Sequence, residues 1–375
     1  MLNILKNLVN LDTTNSKKNE TKCANYLKKL LSPYANKIEL IGDKQKNIIA
    51  YFGNLNSRQA LLLNGHLDVV QANPKNWQTN PFCLTIKENK AYGRGTADMK
   101  GGIAIILDAI IRAKNDGLLN NKLVIFAGTV DEESGADSNL GAKMVAKHLK
   151  DNNIDILGCI IPEPISPENK TRFNLGHRGL MWIKAKSHGK KSHSGLCNIE
   201  DNAILNLMNF IFELKIIIPN QPTKINNLPN TSCRIIHINS QAQDVFNVVP
   251  DVCECNLDVR VSPLEKNKKV YEKIQKLAKK HNIDLTLIKN TNSQICSENK
   301  KLVKKVQQAF KNLNEPYVIG YASPTCDAHW FSEQNIPTIN GLGATGHNVH
   351  SDNEYILIDS LNIRSNLFYE IIKIW

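Results

Sequence analysis

The stretch Tyr92-Gly93-Arg94-Gly95-Thr96-Ala97-Asp98-Met99-Lys100-Gly101-Gly102 sets one carboxylate, Asp98, in a glycine-dense turn, and an apolar run, Ile103 to Ile111, follows it. Glycine lets the backbone turn tightly and lets other groups approach closely. Taken alone, this is a glycine-rich turn at the start of a buried helix. The segments before and after it give Asp98 a second reading, as a carboxylate that bridges two metal ions.

Upstream, the apolar strand Ala60-Leu61-Leu62-Leu63 delivers Asn64-Gly65-His66-Leu67-Asp68 at its carboxyl end. In open α/β sheets that end is where ligands bind. Downstream the pattern recurs. Lys122 to Val130 delivers Asp131-Glu132-Glu133, and Ile154 to Ile161 delivers Pro162-Glu163-Pro164. Ile336 to Asn340 leads through a glycine-rich loop to His347-Asn348-Val349-His350. Helical patterns at Asn19–Leu31, Ile103–Lys114 and Leu140–Asp151 alternate with these strands. The expected fold is therefore α/β, with a mostly parallel central sheet and helices on both faces. Four strand ends carrying His, Asp and Glu point to one composite site.

Residues 178–290 depart from that pattern. They read as strand, helix, two strands, helix and strand, a ferredoxin-like βαββαβ arrangement. The chain then returns with a helix at Ser297–Leu313. Two domains are expected, one of residues 1–177 and 291–375, the other of 178–290. A chain of 375 residues with 42% hydrophobic content has the material for two cores.

Net charge is +12, but only eight of the 47 basic residues are Arg, and they are dispersed. Nucleic-acid recognition leans on clustered Arg with aromatics, so no nucleic-acid partner is expected. The longest apolar run is about half a membrane span, so no membrane partner is expected either. Nine scattered cysteines without a Cys-x-x-Cys pair, and no secretory pattern at the N-terminus, suggest reduced thiols and a cytoplasmic location. Gly341-Leu342-Gly343-Ala344-Thr345-Gly346 matches G-x-G-x-x-G, but it opens no clear helix and lies outside a first βαβ unit. It reads as a close-approach loop.

The residue types permit specific chemistry. His66 and Asp68, two apart on extended backbone, point to one side; the carboxylate can take the imidazole's second N–H while the ring ligates metal. In the turn at Glu132-Glu133, one carboxylate can ligate while its neighbour holds a proton, the pairing that amide hydrolysis beside a metal requires. Three carboxylates and a bridging hydroxide balance two divalent ions. Mixed imidazole and carboxylate ligands suit zinc, and also cobalt or manganese.

Five segments in order resemble the zinc exopeptidase and deacylase family of glutamate carboxypeptidases, acetylornithine deacetylases, succinyl-diaminopimelate desuccinylases and aminoacylases. They are Gly65-His66-Leu67-Asp68-Val69-Val70, Tyr92 through Gly102, Asp131-Glu132-Glu133, Glu163-Pro164 and His350-Ser351-Asp352-Asn353-Glu354-Tyr355. The resemblance implies a zinc-exopeptidase-like catalytic domain with an inserted dimerisation or lid domain. It implies one zinc on His66, Asp98 and Glu163 and a second on Asp98, Glu133 and His350, with Co2+ or Mn2+ as substitutes. Asp68 would orient His66, and Glu132 would be the general base. His193, in Ser192-His193-Ser194, would stabilise the oxyanion, in its own or a partner's site. Asn247 and Arg260, with Arg178 counted beside them, would contact the substrate carboxylate. A non-proline cis bond is implied at Asp98-Met99, and a homodimer through the lid domain. Gln71, Pro162 and Cys326 depart from the family's common residues, but none is a ligand. The expected substrate is an N-acyl amino acid or short peptide with a free carboxylate. The glutamate-carboxypeptidase reading stands beside two biosynthetic ones, acetylornithine deacetylase and succinyl-diaminopimelate desuccinylase. An inactive, binding-only paralogue is the alternative from another class.

Overall fold

The structure is a computed structural model and describes residues 1–57, 59–134, 140–165, 171–219, 224–225, 228–240 and 246–375. Backbone contacts divide the chain into two compact units. Met1–Gly176, Cys296–Gly320 and Cys326–Trp375 form the first; His177–Ile295 and Tyr321–Thr325 form the second. Among the described residues no helix is long and apolar enough to cross a membrane.

The first unit is built on a mixed sheet. Its strands run in space as Lys37–Ile41, Asn47–Gly53, Leu123–Thr129, Gln59–His66, Asp155–Ile161, Thr338–Gly341 and Thr171–His177. The four from Leu123–Thr129 to Thr338–Gly341 pair parallel. The flanking pairs are antiparallel. The expected mostly parallel sheet is thus corrected to a parallel centre with antiparallel edges. Lys37–Ile41 and Asn47–Gly53 are joined by the short link 42–46, which allows a hairpin but not the crossover a parallel neighbour needs. The central strands do have such crossovers, through the helices Gly101–Asn115 and Ala142–Asp151.

Both faces of the sheet are buried, which is why its strands read as unbroken apolar runs. Leu62, Ile125 and Cys159 point to one face, where they pack with Val145 and Leu149 of the Ala142–Asp151 helix and with Phe331. The alternate residues Leu61, Leu63, Val124 and Phe126 are fully buried too. Gly65, on their side of the strand, lies under the Gly101–Asn115 helix: a Cβ there would sit 2.8 Å from Ile103 Cγ1. Because the central strands are parallel, their carboxyl ends lie along one edge, and that edge carries His66, Glu132, Glu133 and Glu163.

The second unit has the element order strand Gly179–His188, helix Ala203–Ile217, strands Ser232–Ser240 and Val252–Val261, helix Asn267–Lys280 and strand Ile283–Thr291. The four strands form an antiparallel sheet in the order Ser232–Ser240, Val252–Val261, Gly179–His188, Ile283–Thr291. One face buries Met181, Ile183, Leu257 and Val259 against Phe210, Leu214, Val270 and Ile274 of the two helices. The other face is exposed and carries Lys184, Lys186, Glu254 and Asp258 with Trp182 among them, so these strands alternate where the central ones of the first unit do not. Asn202 caps the first of these helices, its side chain accepting the N–H groups of Ile204 and Leu205.

Candidate metal centre

The loop with Asp98 leaves the short strand Lys90–Tyr92 and ends where the Gly101–Asn115 helix starts. Gly95 has a φ of +81°, and a Cβ on it would lie 2.6 Å from Val69 Cγ1, so only glycine fits. The Asp98–Met99 peptide is cis. The loop sets the two carboxylate oxygens of Asp98 between two histidines. Oδ1 is 3.0 Å from His66 Nε2, and Oδ2 is 3.2 Å from His350 Nε2. His350 Nε2 also lies 2.9 Å from Glu133 Oε1.

Among the described residues, three groupings have donor atoms within 4.8 Å of one another: His66, Asp98 and Glu163; Asp98, Glu133 and His350; and His66, Glu132 and Glu133. The first two share Asp98, the disposition of a bridging carboxylate.

Asp68 is completely buried. Its Oδ1 accepts the N–H of Glu132 at 3.2 Å and its Oδ2 the N–H of Glu133 at 2.8 Å. Asp131, with a φ of 64°, turns the chain so that both amides face it. His66 Nδ1 is 3.0 Å from the backbone oxygen of Asp68 and 3.6 Å from its carboxylate. The expected carboxylate contact to the ring is therefore the longer of the two, and the Asp68 carboxylate chiefly holds the loop that presents the glutamate pair.

Charge in this cluster is unbalanced without a cation. Burial, then repulsion from Asp98, pushes Glu133 up to about 7. Burial raises Glu132 and Glu163 well above the usual carboxylate range, with neighbouring acids adding to the effect. Asp98 moves the other way: burial would raise it, but its contacts with His350 and His66 hold it below the ordinary value. Hydrogen bonds donated to Asp98 and Glu133 drive His350 up to about 10. Burial opposes charge on His66, yet Asp98, Glu132 and Asp68 outweigh it and leave the imidazole protonated well above its usual range. Two imidazoles and four acids converging at one edge of the sheet form a donor set that fits a pair of divalent cations of the zinc type.

The remaining expected site residues all belong to the second unit. His193 pairs with Val248 in a short antiparallel ladder, which brings it beside Asn247; both side chains are exposed. Its Nδ1 accepts the Gly195 N–H at 3.2 Å. Arg178 is buried and donates to Ser232 Oγ at 3.1 Å. Burial, then the charges of Arg260 and Arg234, lowers its pKa. Arg260 forks onto Asp258, with Nε at 2.7 Å from Oδ1 and Nη2 at 3.1 Å from Oδ2. Its bidentate face is thus already engaged within its own strand.

Two groups escaped sequence reasoning. Asp327, fully enclosed behind the metal cluster, accepts the Thr129 hydroxyl at 3.0 Å, and its pKa rises to about 6, chiefly through burial. Arg234 shares the outer face of the second sheet with Arg260. Its position directly across from Asp258 on the paired strand is the register consequence that a single strand's sequence does not display.

The profile of Peptidase family M20/M25/M40 matches residues 62–374. A probable succinyl-diaminopimelate desuccinylase of Staphylococcus aureus is 36% identical over 217 residues, which are 57% of this chain and 51% of that protein. The alignment therefore spans about half the length of that relative. The succinyl-diaminopimelate desuccinylase of Wigglesworthia glossinidia brevipalpis is 31% identical over 336 residues, 88% of this chain and 87% of the other. In fold, the chain superimposes on an M20 family metallo-carboxypeptidase from Sulfolobus solfataricus with a TM-score of 0.79 at 21% identity, covering 99% of this chain and 98% of that one. A profile match that begins within the His66 strand and runs on past His350 takes in every residue of the metal cluster, and the chain belongs to the peptidase family M20/M25/M40.

Proposed function

We propose that this chain is a two-metal hydrolase that cleaves the amide bond of an N-acyl amino acid or short peptide bearing a free carboxylate. The observation that carries the reading is the division of the two Asp98 oxygens between two three-residue ligand sets. His66, Asp98 and Glu163 would hold one ion; Asp98, Glu133 and His350 the other, with zinc the best fit to the donors. When bound, the metals supply a polarised carbonyl and a water acidified toward neutral pH.

The chain's own residues do the rest. Glu132, partly buried beside His66, takes a proton and passes it to the leaving amine. Asp68 fixes Glu132 and Glu133 through their amides. In the second unit, which acts as the lid, His193 donates to the oxyanion as it forms. Asn247, Arg178 and Arg260 receive the substrate carboxylate, and Asp258 keeps the Arg260 fork aligned until the substrate exchanges with it. The second unit also carries an exposed apolar stripe, Leu205, Met208, Phe212 and Ile216, on its Ala203–Ile217 helix. The edge strand Ser232–Ser240 exposes Ile236 and Ile238. Such a stripe beside an unpaired edge suits a second copy of the chain, and a homodimer is part of the reading.

Among carboxylated N-acyl amino acids, N-succinyl substrates are favoured over N-acylglutamates by the desuccinylase names of the relatives. The test is elemental analysis with a hydrolysis screen on the same metal-loaded sample, using N-succinyl-diaminopimelate, N-acetylornithine, N-acyl-glutamates and dipeptides. About two metals per chain with N-succinyl-diaminopimelate turned over fastest is the expected result. Absence of metal after reconstitution defeats the proposal.

A further inference from the structure

Glu354 stands four residues past His350 and has the sequence appearance of one more acidic ligand. Its carboxylate is turned instead to backbone. Oε1 accepts the N–H groups of Ala97 at 2.8 Å and Asp98 at 3.1 Å; Oε2 accepts that of Gly95 at 3.0 Å and Arg94 Nη1 at 2.6 Å. Arg94 Nη2 donates to the Ser351 carbonyl at 3.1 Å and the Gln71 carbonyl at 3.3 Å. The guanidinium lies 5.2 Å from the centre of the Trp77 ring. Arg94 is 2% exposed and Glu354 0%.

One buried ion pair thus ties three segments together: the exit from the His66 strand through Gln71, the loop that presents Asp98, and the loop that presents His350. A buried pair is weak grounds for net stability, because desolvation offsets much of the attraction. Its geometric content is larger. Three of the four groups donating to Glu354 are amides within three residues of the Asp98 side chain, so they set where both Asp98 oxygens point.

The two ligand sets depend on this clamp unequally. His66 ends a ladder-paired strand, and Glu163 follows another by two residues. His350 sits in irregular backbone at a φ of 61°, with its side chain 51% exposed. We infer that the Arg94–Glu354 pair is a positioning element for the second ligand set, Asp98–Glu133–His350, and governs loading of that set more than loading of His66–Asp98–Glu163. The inference rests on the two-metal reading above.

The test titrates metal-free protein with Co2+ against a chromogenic chelator, in the wild type, Glu354→Gln and Arg94→Lys, with His350→Ala and Glu163→Ala as references for each set. Lysine keeps the charge of Arg94 but not its fork. Each clamp variant should keep one metal at an affinity within about threefold of wild type and bind the other about 10–100-fold more weakly. That pattern, and the Co2+ absorption spectrum left behind, should match His350→Ala and not Glu163→Ala. Two metals held at wild-type affinity in both variants overturn the inference, even if their melting temperatures fall; so does equal weakening of both sets. If Glu354→Gln does not fold, the Arg94→Lys comparison decides by the same criteria. A wild type that binds only one metal per chain instead sinks the two-metal reading, and the inference with it.

Discussion

Loading the metal-free protein with zinc at about pH 7.5 should release more than about one proton per chain, since a ligating imidazole must be neutral. His350, pushed up to about 10 by Asp98 and Glu133, carries essentially a full proton there. His66, raised well above its usual range despite burial, and Glu163, raised chiefly by burial, add to the release in the same direction. Glu133, at about 7, adds roughly a quarter of a proton. Two imidazoles at the ordinary value near 6.5 would release only about a tenth of a proton each. The same linkage fixes the sign of the pH effect on stability. Glu133 and His350 both have folded-state values above their unfolded ones, so the metal-free fold binds more protons than the unfolded chain. Its stability from Glu133 is complete below about 4.5 and lost as pH rises through about 7; that from His350 is complete below about 6.5 and lost toward about 10. Metal replaces these protons, so the gap in melting temperature between loaded and metal-free protein widens as pH rises. Calorimetric titration in buffers of different ionisation enthalpy counts the protons directly. A release below about half a proton per chain would refute the electrostatic account of the site.

Replacing Glu132 by Gln should leave metal content unchanged in elemental analysis while turnover falls by about 10²–10⁴. Phe126→Ala opens a cavity in the fully buried centre of the first sheet, and should cost about 3–5 kcal/mol in denaturant unfolding. Gly95→Ala forces a side chain into φ +81° and against Val69; a loss on the order of 1–3 kcal/mol, with weakened metal binding, is expected. Ile216→Asp places a charge at the most exposed point of the stripe on the Ala203–Ile217 helix, 84% exposed, and should convert a dimer to monomers in sedimentation velocity with the fold intact by circular dichroism.

The parts of the centre that could be read in sequence share a physical cause. Strands buried on both faces appear as unbroken apolar runs, so the acids and histidines at their ends, His66, Glu132, Glu133 and Glu163, stand out sharply. Strand direction leaves no such mark. Nothing in the composition of Lys37–Ile41 and Asn47–Gly53 marks their direction; the short link between them is compatible only with the antiparallel pairing that the structure shows. Buried charge is hidden for a related reason: Arg94 and Glu354 are, in sequence, indistinguishable from residues on a solvated surface. Arg260 could be singled out in the sequence, but not its engagement by Asp258, because that contact depends on side-chain reach and not on spacing alone. Asp327 lies far in sequence from Thr129, and only the fold makes them neighbours.

The order of the ligands along the chain has a consequence for biosynthesis. His66, Asp98, Glu133 and Glu163 all precede the second unit, while His350 follows it. A growing polypeptide therefore carries His66, Asp98 and Glu163 before the second unit has been translated, and lacks His350 until that unit is behind it. On the two-metal proposal, the donor set that includes His350 can be complete only in a chain already synthesised past the second unit.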